Sequence, residues 1–302
     1  MRRFWIYVFA LFFPLVVLAQ SAAELSEQIE DDRGFLTGLL ERNLSGAGRT
    51  VVIDGFEGAL SSRATFSEIR IADEEGVWLT LRDGAIQWNR SALLRRRIEI
   101  AELSAAEILL PRLPQGEQSE VQAEAPVFAL PELPVSLEIE RIQADRVVLG
   151  EPVIGVEAAL RVSGGMSLEG GEGQAQLTID RLDGPRGQFV LDAGYSNETQ
   201  ILRLNLGLDE AADGILVNLV NIYDRPAVTA QISGEGEIGD FAADIRLATN
   251  GQPRITGQVS ASGETAEDGT AGTAFRFELG GDVATLLRPE DQDATLAALR
   301  AE

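Results

Sequence analysis

From Thr50 onward, apolar residues fall on every second position. Val51 and Ile53 alternate with polar neighbours, as do Val77, Leu79 and Leu81, then Ile86 and Trp88. Successive side chains of an extended strand point to opposite faces, so a period of two marks half-buried strands. Turn signals punctuate the runs at Asp54-Gly55, Glu75-Gly76, Asp83-Gly84 and Asp183-Gly184-Pro185,. Strands joined by short turns form an antiparallel meander, so a mainly β chain is predicted.

A repeat lies inside this pattern. "IEIAELSAAEILL" (98–110) aligns without gaps on "LEIERIQADRVVL" (137–149). Ile98, Ile100, Leu103, Ile108 and Leu110 thereby meet Leu137, Ile139, Ile142, Val147 and Leu149. "LTIDRL" (177–182) repeats the first half with Leu177, Ile179 and Leu182, and "ATFSEI" (64–69) is a weaker copy. Starts at 64, 98, 137 and 177 suggest stacked strand pairs forming an elongated body. The three-residue steps from Ile100 to Leu103 and from Ile139 to Ile142 break strict alternation. A bulge at each step keeps both residues on one face.

The chain divides into three regions. Residues 1–22 open with Arg2 and Arg3 and continue as an uncharged apolar run, Phe4 to Ala19, before Gln20. This is the pattern of a signal peptide or an uncleaved membrane anchor, and either one exports the remainder of the chain. Residues 23–48 read as a helical entry segment: Leu25, Ile29, Leu36, Leu39 and Leu40 share a face, ended by Gly46 and Gly48,. Residues 49–302 are the repetitive β body, interrupted by a mobile Pro/Glu-rich loop at 111–134. Loop-closure costs grow slowly with length, so deleting 115–128 is expected to be tolerated. "SGETAEDGTAG" (262–272) reads as a second loop, and "DGILVNLVNI" (213–222) as a short apolar helix or a buried strand. Leu216, Leu219 and Val220 favour the helix.

Composition narrows the chemistry. The 302 residues contain no cysteine, histidine or lysine, and the formal charge is −23. Serine nucleophiles ordinarily need a histidine base, zinc needs histidine or cysteine, and Schiff bases need lysine. No enzyme activity, metal or cofactor is expected. Phosphate backbones need a basic face, so no nucleic acid partner is expected either. "GGEGQAQLT" (170–178) resembles a calcium-binding nonapeptide only loosely, with Ala175 where Asp belongs. It reads as a strand after a flexible turn.

Against this acidic background, "WNRSALLRRRIEI" (88–100) places four arginines in eight residues. Asn89 or Ser91 caps one helical turn, "SALL", and Leu93 and Leu94 are expected to plug the sheet. Arg95, Arg96 and Arg97 then emerge before Ile98. They are either solvated charges balancing Glu99 and Glu102 or a rim that holds anionic headgroups.

Residues 31–114 carry, in order, "GVWLTL", "IQWNRSALL" and "IEIAELSAAEI"; "PVSLEIERIQADRVVLGEPV" (134–153) and a looser stretch from 176 to 260 come after them. This ordered series resembles the N-terminal part of the TamB family, within the AsmA-like group of envelope proteins. The resemblance implies an elongated, curved antiparallel β-sheet trough, taco-like or solenoid-like, with an apolar inner face. It also implies an inner-membrane-associated protein in the periplasm of a Gram-negative bacterium. Such proteins are implicated in moving phospholipid to the outer membrane and in outer-membrane protein assembly. Their partner is TamA, an outer-membrane barrel. The family's C-terminal region, which contacts that partner, has no counterpart in residues 1–302, so that contact is not expected of them.

The candidate lipid groove comprises Phe66, Ile69, Ile71, Val77, Leu79, Leu81, Ile86 and Trp88. To these it adds the repeat residues named above, through Leu182. Roughly 18 strands would span about 85 Å, and each CH₂ covered gains ~0.8 kcal/mol. Two other readings use the same strands: a scaffold that adds strands of outer-membrane proteins to its edge, and a closed barrel or sandwich.

Overall fold

The structure, a computed structural model, describes residues 49–58, 63–114, 135–265, 271–282 and 284–289. The apolar N-terminal run, the helix expected before residue 46 and most of the Pro/Glu-rich loop lie outside the described residues.

The body is mainly β. Thirteen strands form one sheet: β1 (Thr50–Asp54), β2 (Arg63–Asp73), β3 (Gly76–Trp88), β4 (Arg97–Leu110), β5 (Ser136–Leu149), β6 (Ala158–Glu169) and β7 (Glu172–Arg181). It continues with β8 (Gly187–Ser196), β9 (Ile201–Glu210), β10 (Val228–Glu237), β11 (Asp240–Thr249), β12 (Gln252–Thr265) and β13 (Ala271–Gly281). Strands are hydrogen-bonded in chain order, and β1 does not pair with β13, so the sheet is open. At ~4.8 Å per strand it is roughly 60 Å across, shorter than the expected 18-strand body. Among the described residues three short helices accompany it: α1 (Arg90–Leu93), α2 (Glu151–Ile154) and α3 (Ile215–Leu219), with a 3-10 turn at Ala284–Leu286.

The sheet is mixed, which corrects the antiparallel meander. Strands β4 and β5 run parallel, and their register is the repeat alignment itself: Ile98 opposite Leu137, Ile100 opposite Ile139, Leu110 opposite Leu149. Parallel neighbours need a long crossover, which residues 111–135 supply. That connection must return along the whole length of β4, roughly 43 Å at 3.3 Å per residue. Deleting 115–128 leaves eleven residues, whose span from Leu110 to Ser136 reaches ~43 Å only when fully extended, with no slack for leaving one strand and entering the next. The segment therefore has a length requirement that composition did not reveal. The repeat is also not a uniform strand pair. Its copies occupy β2, β4, β5 and β7, so two copies are adjacent and the others are separated by an intervening strand.

The expected bulges are present. Relative to β6, register shifts fall between Ile139 and Ile142 and again between Ala144 and Val147. Because β4 stays in step with β5, it kinks at the same levels. Asp83-Gly84 is not a turn but lies inside β3, where Asp83 takes a φ of +46°. Gly84 faces Phe66 across the pair, and a Cβ there would meet the Phe66 ring at 1.9 Å. A hydrogen atom is required because the ring lies over this backbone.

Gly170-Gly171, with φ of +58° and +83°, forms the two-residue turn between β6 and β7. The stretch expected as a loop at 262–272 is partly strand: β12 runs to Thr265 and β13 begins at Ala271.

Candidate functional site

Register assigns every strand residue to a face, and one face is apolar from strand to strand. A row of directly paired residues runs Ala64–Ile86–Leu103–Ile142–Gly164–Leu177 from β2 to β7. It continues Leu191–Leu206–Ile232–Ile245–Gly257–Leu279 from β8 to β13. No polar side chain interrupts it. A second row, Ile100–Ile139–Met166–Ala175–Ala193–Leu204, lies beside it.

The opposite face is charged. Arg70 meets Asp54 at 2.6 Å and Glu68 at 3.1 Å. Arg82 bridges Glu68 (3.0 Å) and Glu107 (2.8 Å), and Glu107 reaches Arg146 at 3.7 Å. This ladder of ion pairs crosses β1 to β5. Hydrogen bonds to Glu68 and then Glu107 raise the Arg82 pKa above its ordinary value, against desolvation. At the end of β4, Arg112 pairs with Asp73 and donates to the Gly76 carbonyl at 2.8 Å. The Asp73 hydrogen bond raises the Arg112 pKa, again against desolvation. These contacts pin the β2–β3 turn.

The apolar face is sealed in two places. Ile98, Ile100, Leu137, Ile139 and Leu168 are buried together, with Trp88, Val135 and Met166 packed against them. Ile100 and Ile139 are each 1% exposed, so they lie in a packed cluster and do not face an open groove. The second seal is the β9–β10 connection. Val217, Ile222 and Val228 pack with Leu216, Leu247 and Leu286. Elsewhere burial is mixed: Leu79, Leu191, Tyr195 and Ala243 are buried, whereas Ile179, Leu204, Leu206, Ile232 and Ile245 all keep solvent contact. Exposure is greatest on β13, where Phe275 and Phe277 are 64% and 63% exposed.

Of the residues expected to line one face, Phe66, Ile69, Ile71, Leu79, Leu81, Ile86, Trp88, Ile108, Leu110, Val147, Leu149, Leu177 and Ile179 do share it. So do the paired residues of the β4–β5 repeat. Two do not. Val77 pairs with Ala72 beyond a register shift, so it turns to the other face and is 44% exposed. Leu182 lies past the end of β7, and Arg181 takes the row position opposite Leu160; Leu182 is 40% exposed.

The plug expected from Leu93 and Leu94 is corrected at Leu94; the Leu93 side chain lies outside the described residues. Asn89 caps α1 by accepting from Ser91 N at 3.1 Å, but Leu94 is 90% exposed and Ala92 is the residue that is fully buried. Arg95, Arg96 and Arg97 do emerge into solvent. Arg97 approaches Glu99 (3.9 Å) and Glu169 (3.7 Å), while Glu102 pairs instead with Arg141 (3.4 Å).

Sequence reading missed the half of the face contributed by β8 to β13. The signal was there: "ILRLNLGL" (201–208) alternates strictly, and Leu202, Leu204, Leu206 and Leu208 all join it. Glu210 was missed too. Only 4% exposed, its carboxylate accepts from Ile215 N (3.0 Å) and Leu216 N (2.8 Å). It thereby holds the start of α3 against the sheet.

Among the described residues, no helix is long and apolar enough to cross a membrane. Family models, curated proteins and solved structures contain no match to this chain.

Proposed function

We propose that this chain is a TamB-like periplasmic protein. Its apolar face would shield phospholipid acyl chains during passage between the inner and outer membranes of a Gram-negative envelope. One observation carries the reading: the apolar row from Ala64 to Leu279 crosses twelve strands unbroken, mostly half-buried through its middle, behind a charged outer face. Acyl chains laid on such a surface gain ~0.8 kcal/mol per CH₂ removed from water. No catalytic group is needed for that. Curvature arises from local features: aligned bulges in β4 and β5 bend strands, and glycines within a sheet mark bends and close approaches. Gly257, at φ +155°, allows no Cβ, which would lie 2.0 Å from the Glu278 carbonyl.

The test is the lipid content of the protein purified from envelope membranes in mild detergent. Mass spectrometry should find phospholipid in stoichiometric amounts. Protein free of lipid, and unable to take it from vesicles, would sink the reading.

A second reading rests on β13. Among the described residues its outer edge pairs with no strand, and Phe275, Phe277 and Leu279 are exposed along it. An unpaired apolar edge of this kind accepts an added strand, as a scaffold for outer-membrane proteins or a barrel partner would require. Phe275→Pro with Phe277→Pro, whose amides point away from β12, should abolish strand addition while sparing lipid bound on the middle strands. A substitution of Gln258, on the neighbouring strand, would leave this edge intact and serves as the control.

A further inference from the structure

We propose that the turn from Asn89 to Arg97 is a membrane-docking tip, which sets the rim of the sheet against a bilayer of anionic lipid. The turn is built, not loose. Asn89 N donates to the Glu99 carbonyl at 2.8 Å, and Asn89 Nδ2 donates to the Glu99 carboxylate at 2.8 Å. Asn89 caps the helical turn, Ala92 is fully buried beneath it, and Ser136 N donates to the Arg96 carbonyl at 3.0 Å. Arg96 itself takes a φ of +58°, a left-handed conformation that a long side chain adopts only when its surroundings hold it there.

This anchored frame projects an apolar side chain and two cations into water. Leu94 is 90% exposed. Arg97 is matched by Glu99 and Glu169. Among the described residues, the guanidinium groups of Arg95 and Arg96 have no hydrogen-bond or ion-pair partner. In a chain of formal charge −23, Arg70, Arg82, Arg112, Arg141 and Arg203 pair with carboxylates. Arg161, Arg246 and Arg276 stand free as Arg95 and Arg96 do, but here two adjacent free cations flank the most exposed large apolar side chain of the described residues. Phosphate headgroups complement the cations, and the acyl region beneath them complements the leucine. A purely acidic protein surface would leave Leu94 without a partner. The tip also stands beside the packed cluster of Ile98, Ile100 and Trp88. It therefore places one end of the apolar face at the bilayer surface. This inference extends the lipid-carrier reading, but it is measured separately from it.

The chain has no cysteine, so Leu94→Cys in the full chain gives a single site for an environment-sensitive NBD probe. Val190→Cys, 42% exposed on the polar face of β8, serves as the control. The apolar run at Phe4–Ala19 can carry the chain to any bilayer, so the comparison is between headgroups and between positions. With vesicles of equal parts phosphatidylglycerol and phosphatidylcholine, the position-94 probe should brighten and shift to the blue. With phosphatidylcholine alone it should not, and the position-190 probe should stay silent in both. Each arginine near an anionic surface is worth about fivefold in partitioning. Arg95→Gln with Arg96→Gln should therefore raise the phosphatidylglycerol needed for half-maximal signal roughly thirtyfold, with an unchanged melting curve.

Three results would overturn the proposal. They are no response at position 94, an equal response to phosphatidylcholine vesicles that survives the arginine substitutions, or an equal response to soluble polyglutamate. The substitutions touch no residue of the apolar rows, so bound phospholipid should persist in that variant. Loss of the tip signal with lipid retained would separate this inference from the carrier reading.

Discussion

Ile139 and Leu206 lie on the same face of the sheet but in different surroundings, and an aspartate at each should have different consequences. Ile139 is 1% exposed, paired with Ile100 and Met166 inside the buried cluster. Removing its side chain costs ~2–5 kcal/mol in lost burial and cavity. The new carboxyl must also stay protonated at neutral pH, and three pKa units correspond to about 4 kcal/mol. The total of roughly 6 kcal/mol or more rivals the 5–15 kcal/mol that ordinarily holds a domain together. Leu206, between Leu191 and Ile232, is half-buried. Its replacement forfeits about half of the ~1.5–3 kcal/mol of a fully buried leucine, and water still reaches the carboxylate. Urea unfolding followed by circular dichroism should show Ile139→Asp unfolded or nearly so. Leu206→Asp should fold, lose about 1 kcal/mol and co-purify with less phospholipid. Equal destabilisation by the two would refute the reasoning, because the middle of the face would then be a sealed core.

Glu210→Ala should leave the Ile215 and Leu216 amides without acceptors at ~1–3 kcal/mol each; hydrogen exchange there should accelerate while β6 to β8 stay protected. Gly84→Ala should cost ~1–3 kcal/mol by displacing the Phe66 ring, and Phe66→Leu in the same chain should recover part of the melting temperature. Deleting 115–128 should weaken the β4–β5 pairing because the remaining linker spans the distance only when fully extended, whereas replacing those residues with an equally long Gly/Ser stretch should restore the circular dichroism spectrum.

The β class, the apolar residues of β2 to β5 and the bulges were legible because alternation is local and a bulge leaves a three-residue step in it. The repeat even contained the register of β4 against β5, although nothing in the aligned residues said that the two strands were neighbours. Strand direction was not legible, since it depends on how the chain returns between Leu110 and Ser136. Leu94 misled because apolar character says nothing about which way a one-turn helix rolls; the small Ala92 took the buried position. The same ambiguity appeared in α3, where Val217 is buried and Leu219 and Val220, favoured by spacing, are 52% and 46% exposed. Glu210 could not be found from sequence. Its role depends on the α3 amides folding back over the end of β9.

The central claim is that acyl chains lie on the apolar face and not elsewhere. Benzoylphenylalanine placed singly at Ile232 and Ile245, and at the outward-facing Gln231 and Arg246 of the same strand pair, tests it inside living cells. After irradiation, mass spectrometry should find phospholipid adducts at Ile232 and Ile245 and none at Gln231 or Arg246. Adducts on both faces alike, or on neither, would contradict the account.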